Sequence, residues 1–323
     1  MGAAVVIVTF NGRERLARAL ESLACQTAPA GQLIVVDNAS ADGTVEWLRA
    51  EHPGVELVVN DDNLGFGRAV NIGAARVREE HLVLINNDVV CEPAFLEAIT
   101  RPFADPAVGM VAGVLLQEAD PGRIDTAGLI LDRTLRSWDH LAGEPVAVLD
   151  RDPPAPAGPC GGAAAYRADA FTGLGGFDES LFAYWEDVDL TIRMRDAGWR
   201  CALAADARAL HAHGATTGAM SPRMRALDAY GRGFVVGRYG VMRGSPVTAG
   251  AVALLDWPVF AVHAAARREL EPLRARRRGV RAGRARPLRV GPMPRDRGVG
   301  EGLRAQWGAT FDRLRGRGPA HFR

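Results

Sequence analysis

The chain has 323 residues, 48% of them hydrophobic and 24% charged, and all 39 of its basic residues are arginine. That composition excludes a collagen-like, coiled-coil or broadly disordered protein and leaves enough chain for a sizeable core. A formal net charge of +1 hides a division: 17 arginines stand against 31 carboxylates up to Met220, and 22 against 7 from Ser221 onward.

In chain order, Ala3 to Thr9 is a continuous apolar, β-branched run, the pattern of a strand buried on both faces. Met1 to Phe10 has neither a basic n-region nor a small-residue cleavage pattern, so it reads as a first strand and not as a signal peptide. Asn11-Gly12 ends the strand, and Leu16, Leu20 and Leu23 then recur at helical spacing. Leu33 to Asp37 is a second buried strand, closed by the polar turn Asn38 to Gly43, which leads into a helix carrying Val45 and Leu48. Strands follow at Val55–Asn60 and Leu82–Ile85, with a helix at Arg68–Val77 between them. This alternation predicts an α/β fold with a doubly wound, mainly parallel sheet, whose ligand sits beyond the carboxyl ends of the strands.

The residues at those ends carry the chemistry. Gly65-Phe66-Gly67 follows the third strand instead of the first, and Val70 occupies the place of a third glycine, so a dinucleotide fingerprint fails on context. Asn86-Asn87-Asp88 is either a site for a divalent cation or an Asx turn closing its strand. Glu186, Asp187 and Asp189 cluster behind Tyr184-Trp185 at the start of a helix predicted over Val188–Asp196. Such acids serve as caps complementing the helix dipole, or one of them takes a proton from an acceptor hydroxyl. His211-Ala-His213 is either a strand feature or a source of one metal ligand. The four cysteines, Cys25, Cys91, Cys160 and Cys201, are scattered, which suits a reducing compartment and gives no disulfide framework.

The succession Val8–Asn11, Val35–Gly43, Asn63–Gly67 with Asn71, Asn86–Asp88, Gly175–Glu179 and Glu186–Leu190 resembles the family 2 glycosyltransferases, most closely their rhamnosyltransferase-type branch. The resemblance implies a GT-A fold, a nucleoside-diphosphate sugar donor (dTDP or UDP, with rhamnose favoured) and a glycan or lipid-linked acceptor of the cell envelope. It assigns Thr9, Phe10, Asn11, Asp37, Asn63, Gly65, Arg68 and Asn87 to the nucleotide sugar. Asp88 matches the last carboxylate of the family's DXD motif, with Asn86 replacing the first, and His211 matches its downstream histidine, with His213 as competitor. The implied cofactor is a divalent cation, manganese or magnesium. Asp187 matches the catalytic base of an inverting transfer, Glu186 and Trp185 would line the acceptor pocket, and Asp189 would orient the loop or contact the acceptor. A small-molecule acceptor, or a nucleotidyltransferase of similar fold, is the alternative. No glutamine begins a QxxRW motif, so addition of one or a few sugars is expected.

The expected organisation is a GT-A domain over 1–220, a helical extension over 221–266 and an Arg-rich, poorly ordered tail over 267–323. Gly143–Pro159 reads as a Pro/Ala/Gly-rich loop, either a mobile segment over the site or a long connection. The apolar stretch Val247–Ala266 is interrupted by Asp256, Pro258 and His263, which speaks against a membrane-spanning helix and leaves a helix lying on a membrane open. The basic tail is a solvated charge run or a contact for an anionic membrane surface, with nucleic acid disfavoured. A cytoplasmic chain, peripheral on the inner face of the plasma membrane, is the expected location.

Overall fold

The first strands bury both their faces, and that property organises the sheet. The computed structural model of the chain describes residues 2–212, 221–244, 246–253 and 268–291. Strands β1 (Ala3–Thr9), β2 (Gln32–Asp37), β3 (Glu56–Val59) and β4 (His81–Ile85) alternate with helices α1 (Arg13–Ala24), α2 (Thr44–Glu51) and α3 (Phe66–Ala74). The four strands run parallel in the order β3–β2–β1–β4. Along β1, Val5 and Ile7 pack with Leu16 and Leu20 of α1, whereas Val6 joins Val36 and Val70 on the opposite face. Helical crossovers cover both faces, as a parallel sheet requires.

The later strands complete a nine-stranded sheet. They are β5 (Val89–Cys91), β6 (Val108–Gln117), β7 (Asp120–Thr126), β10 (Ala163–Arg167) and β11 (Arg200–His211). Helices α4 (Phe95–Thr100), α5 (Ala168–Gly173) and α6 (Glu186–Asp196) pack between them in sequence, while β8 (Leu129–Leu131) and β9 (Ser137–Asp139) form a separate two-stranded sheet. The order continues β4–β10–β6–β11–β5, with β7 on β6. β10 is antiparallel to both its neighbours, and β6 is parallel to β11. The expected long loop at Gly143–Pro159 contains a 3-10 turn, Val146–Arg151, pinned by Leu149 in a cluster with Val114, Leu116 and Ile124. It is a packed connection.

Gly65, before α3, has φ +83°, and a Cβ there would run into the carbonyl oxygen of Phe182. That same carbonyl accepts the Phe66 N–H at 2.7 Å, tying the start of α3 to the loop ahead of α6. Gly65→Ala therefore combines left-handed strain with a backbone clash. Chemical denaturation is expected to show a loss of about 2 kcal/mol or more.

Two compact units emerge: residues 1–129, 139–182 and 186–216 in the first, and 130–138, 183–185 and 217–323 in the second. In the second, α7 (Pro222–Arg238) is capped by Ser221, whose hydroxyl accepts the Met224 N–H at 3.2 Å. Short helices α8 (Val241–Gly244) and α9 (Pro246–Ala251) follow, and α10 spans Glu271–Ala285. A Cβ on Gly233 or Gly237 would strike the backbone of α10, and one on Gly279 or Gly283 the backbone of α7. The two helices thus meet backbone to backbone. The Arg-rich stretch expected to be poorly ordered is therefore helical over Glu271–Ala285, because Ala275, Gly279 and Gly283 repeat at one-turn spacing on the buried face. The rest of that stretch, 292–323, and most of the apolar stretch, 254–266, lie outside the described residues. Among the described residues no helix is long and apolar enough to cross a membrane.

Candidate active site

The carboxyl ends of β1 and β2 are stitched together by side chains. Asn11, at φ +49°, accepts the Ala41 N–H on Oδ1 at 2.8 Å, and its own N–H donates to Ser40 Oγ at 2.9 Å. Thr9 is buried and accepts the Asn87 Nδ2–H at 3.1 Å, while Phe10 is half-buried beside it. Asp37 is wholly buried; its Oδ1 accepts the Ser40 N–H at 2.8 Å, and its Oδ2 has no hydrogen-bond partner. A buried, unsatisfied carboxylate oxygen is expensive without a ligand donor to meet it.

Asn63 Oδ1 accepts the Gly65 N–H at 3.0 Å, closing the turn into α3. Asn38, which the motif reading did not single out, bridges these turns: it donates to the Gly65 carbonyl at 3.1 Å and accepts from Asn60 at 2.9 Å. Its place inside the polar run Asn38–Gly43 was the only sequence signal. Arg68 is half-exposed and sits 3.6 Å from Glu179 in a surface ion pair.

A second station follows β4. Asp88 is buried, and its Oδ1 makes no hydrogen bond but lies 3.6 Å from Nε2 of His211, the last residue of β11. The other ring nitrogen of His211 is 2.7 Å from Asp125 Oδ2, on β7. Burial works against a charged imidazole, but Asp125 and Asp88 outweigh it and hold the His211 pKa up at about 9. Asp125 is thus a site residue that sequence reading missed; it lies 86 positions from its histidine, and nothing in the pattern Ile124-Asp125-Thr126 links the two. His213 falls outside the described residues.

These groups fit a divalent cation. Two ligands of one ion, each about 2.1 Å from it, stand roughly 3 to 3.6 Å apart at ordinary coordination angles. The Asp88 to His211 separation of 3.6 Å meets that condition. The Asp125 carboxylate fixes the ring so that Nε2 faces Asp88, the outer-shell arrangement usual for a metal-binding histidine. Among the described residues no group of three or more His, Cys, Asp or Glu side chains is set to hold a metal, so remaining coordination would fall to ligand oxygens and water.

The third station is the first turn of α6. The helix begins at Glu186, two residues earlier than the sequence predicts, so all three acids lie inside its positively polarised end. Asp187 accepts the Gly161 N–H on Oδ2 at 3.2 Å and the Val188 N–H on Oδ1 at 2.8 Å. Burial raises its pKa, and these two backbone donors pull against that rise. Glu186 is buried with Oε2 unpartnered; burial first, and then repulsion by Asp187, push its pKa well up. Burial thus pushes both carboxyls toward their neutral forms, while the Gly161 and Val188 donors favour the charged form of Asp187.

Asp189 faces into the core. It is fully buried and accepts from Arg193 Nε at 2.8 Å, while Arg193 also donates to the carbonyls of Leu174 at 2.8 Å and Gly176 at 2.6 Å. Of its two expected roles, orienting the loop is the one this geometry supports. Asp189→Ala leaves a guanidinium without its carboxylate in a dry site. A loss of about 3–5 kcal/mol in unfolding free energy is expected by denaturant titration.

Trp185 belongs to the second unit. Tyr184 and Trp185 have φ of +67° and +76°, a strained pair of large side chains. The Trp185 indole N–H donates to Asp228 at 2.8 Å, and the buried Arg232 guanidinium lies 5.5 Å over the ring. Its indole donor is therefore committed within its own unit.

The second and third stations share one turn. The Gly161 N–H donates to Asp187, and the carbonyl of the next residue, Gly162, accepts the Asn86 N–H at 3.3 Å.

The sequence profile described as Glycosyl transferase family 2 matches residues 4–174, more than half of the chain. The chain belongs to glycosyl transferase family 2. The transferase is 30% identical over 238 residues to an N-acetylglucosaminyl-diphospho-decaprenol L-rhamnosyltransferase of Mycobacterium tuberculosis (strain ATCC 25618 / H37Rv), covering 66% of this chain and 77% of that one. It is 26% identical over 219 residues to the O-antigen chain rhamnosyltransferase WbaN of Salmonella anatum, covering 66% of each. Its fold is that of the GT-A glycosyltransferases. The mannosyltransferase PcManGT of Pyrobaculum calidifontis, solved with GDP-Man and Mn2+, superposes with a TM-score of 0.55 at 19% identity, over 96% of this chain and 80% of that one. GalNAc-T7, solved with UDP, GalNAc and Mn2+, gives a TM-score of 0.57 at 16% identity, over 74% of this chain and 48% of that one.

Proposed function

We propose that the enzyme is an inverting, metal-dependent, non-processive transferase that moves a sugar, with rhamnose favoured, from a dTDP- or UDP-linked donor to a hydroxyl of a lipid-linked or cell-envelope glycan. The observation that carries this reading is the shared Gly161-Gly162 turn, which anchors the carboxylate Asp187 and the Asn86–Asp88 segment through adjacent residues. One turn thereby ties the carboxylate proposed as base to the segment proposed to meet the diphosphate. The rhamnosyltransferase relatives support the sugar and the class of acceptor.

Asp37, with its unsatisfied Oδ2, is placed to accept the imide N–H of uracil or thymine, a donor both bases present. Thr9, Phe10 and Asn11 line the same strand ends for the base and ribose, while Asn63, Gly65 and Asn87 shape the turns beside them. Arg68, on the first turns of α3, is the cation for phosphate oxygens once it leaves Glu179.

Asp88 and His211 would hold the divalent cation, which supplies neutralisation of charge growing on the departing nucleoside diphosphate. Asp187 accepts the acceptor hydroxyl proton while that oxygen forms its bond to the anomeric carbon. The bond from that carbon to the diphosphate oxygen breaks on the opposite face, so the configuration inverts. Glu186, protonated, is a hydrogen-bond donor to an acceptor or sugar oxygen.

Incubation with manganese and a panel of nucleotide sugars, with nucleoside diphosphate release followed, tests the reading. Release from a dTDP- or UDP-sugar that is stimulated by a polyprenyl-diphosphate acceptor is expected. Pyrophosphate release from a nucleoside triphosphate and a sugar phosphate would sink it in favour of a nucleotidyltransferase.

A further inference from the structure

Helix α10 has two faces with opposite surroundings. Pro272, Ala275, Arg276, Gly279 and Gly283 are buried, and the two glycines meet the backbone of α7. On the other side, Leu270, Arg274, Arg277, Arg281 and Arg284 follow one another at intervals of four, three, four and three residues. That spacing is a single stripe along an α-helix, roughly 21 Å from end to end.

All five side chains are exposed. Leu270 is 59% exposed, one of three large apolar residues so placed among the described residues. The one acid on the helix, Glu271, pairs with Arg278 at 2.6 Å, off the centre of the stripe. Among the described residues no carboxylate pairs with Arg274, Arg277, Arg281 or Arg284. Four unneutralised guanidinium groups therefore stand in line behind an exposed leucine, on a helix whose small-residue face is already occupied.

We propose that this stripe docks the enzyme on an anionic bilayer surface, with Leu270 entering the interfacial region and the four arginines meeting lipid phosphates. Charge complementarity selects a polyanion, and the leucine selects a lipid surface, because an exposed apolar side chain gains only where an apolar medium receives it. Nucleic acid fits less well: residues 268–291 contain no aromatic side chain on which a base could stack. Docking of this kind deepens the reading of a lipid-linked acceptor. It is tested with neither donor nor acceptor present, so either can fail alone.

The experiment is flotation of the full chain with vesicles of phosphatidylglycerol and phosphatidylcholine, against vesicles of phosphatidylcholine alone. Binding to the anionic vesicles only, weakened by salt, is expected. Each arginine near such a surface contributes about a fivefold change in partitioning, so R274Q/R277Q/R281Q/R284Q should weaken it several-hundredfold. The corresponding four-lysine variant should keep binding, which separates loss of charge from loss of fold. Leu270→Ser should weaken vesicle binding while leaving any weak, salt-sensitive attraction to duplex DNA unchanged. Equal binding to neutral vesicles, no binding at all, full binding by the glutamine variant, or tighter binding to DNA with indifference to Leu270→Ser would each overturn the proposal.

Discussion

Asp187→Asn is expected to lower kcat by about 10²–10⁴-fold while leaving donor KM close to its starting value. The amide keeps the shape of the side chain and can still accept the Gly161 N–H, but it cannot take a proton from the attacking hydroxyl. A structural role would produce the opposite pattern, with stability falling and activity following it. Here the amide keeps one oxygen for the Gly161 N–H and loses the acceptor for the Val188 N–H, so Tm should fall only modestly while kcat falls by orders of magnitude. The same carboxylate sets the acid limb of the pH profile. Because burial raises its pKa, the fraction of ionised base falls at a higher pH than an ordinary aspartate would give, and kcat/KM should decline from that point as the solution is acidified. A wild-type profile flat down to the ordinary aspartate range, or a variant that is folded and nearly fully active, would remove Asp187 from the role of base.

The strand ends were legible in the sequence for a physical reason. A strand buried on both faces has no use for a polar residue until it emerges, so Thr9, Asp37 and Asn86–Asp88 stand out against the apolar runs before them. The GT-A expectation came from the family resemblance that those ends carry together with Asn63–Gly67, Gly175–Glu179 and Glu186–Leu190. The later strands were less legible, because β11 is long and mixed in composition and pairs with β6 across register shifts. Asp125 was hidden for a related reason: its significance lies in a contact with a histidine on a different strand, and spacing along the chain carries no record of it. Asp189 differs from its two acidic neighbours. It shares the acidic cluster of Glu186 and Asp187, but helical rotation sends it into the core toward Arg193, one turn further along. The tail misled by its charge. Counting arginines concealed the Ala275, Gly279, Gly283 repeat that lets α10 lie against α7.

Asp88→Asn carries the second large effect, and its companion Asp125→Asn shows how the station works. Asp88 contributes the one unpartnered carboxylate oxygen facing His211 Nε2, so its amide removes both the charge and the better ligand atom. With Asn86 already neutral where the family pattern has an acid, no nearby charge in the Asn86-Asn87-Asp88 segment compensates. Loss of about 3 kcal/mol of stabilisation at the departing diphosphate corresponds to a fall in kcat of at least about 100-fold. Manganese affinity, measured by calorimetry on the free enzyme, should fall with it. Asp125→Asn acts at one remove: it leaves both ligand atoms in place but weakens the bond that fixes the imidazole, and a 10–100-fold loss of manganese affinity is expected. The two variants therefore separate ligand from orienter. If Asp88→Asn binds manganese as the wild type does, or if the reaction proceeds unchanged in EDTA, the cation does not sit between Asp88 and His211. If instead Asp125→Asn matches the wild type while Asp88→Asn fails, the histidine is held by its strand alone, and the buried Asp125 carboxylate answers to some other group.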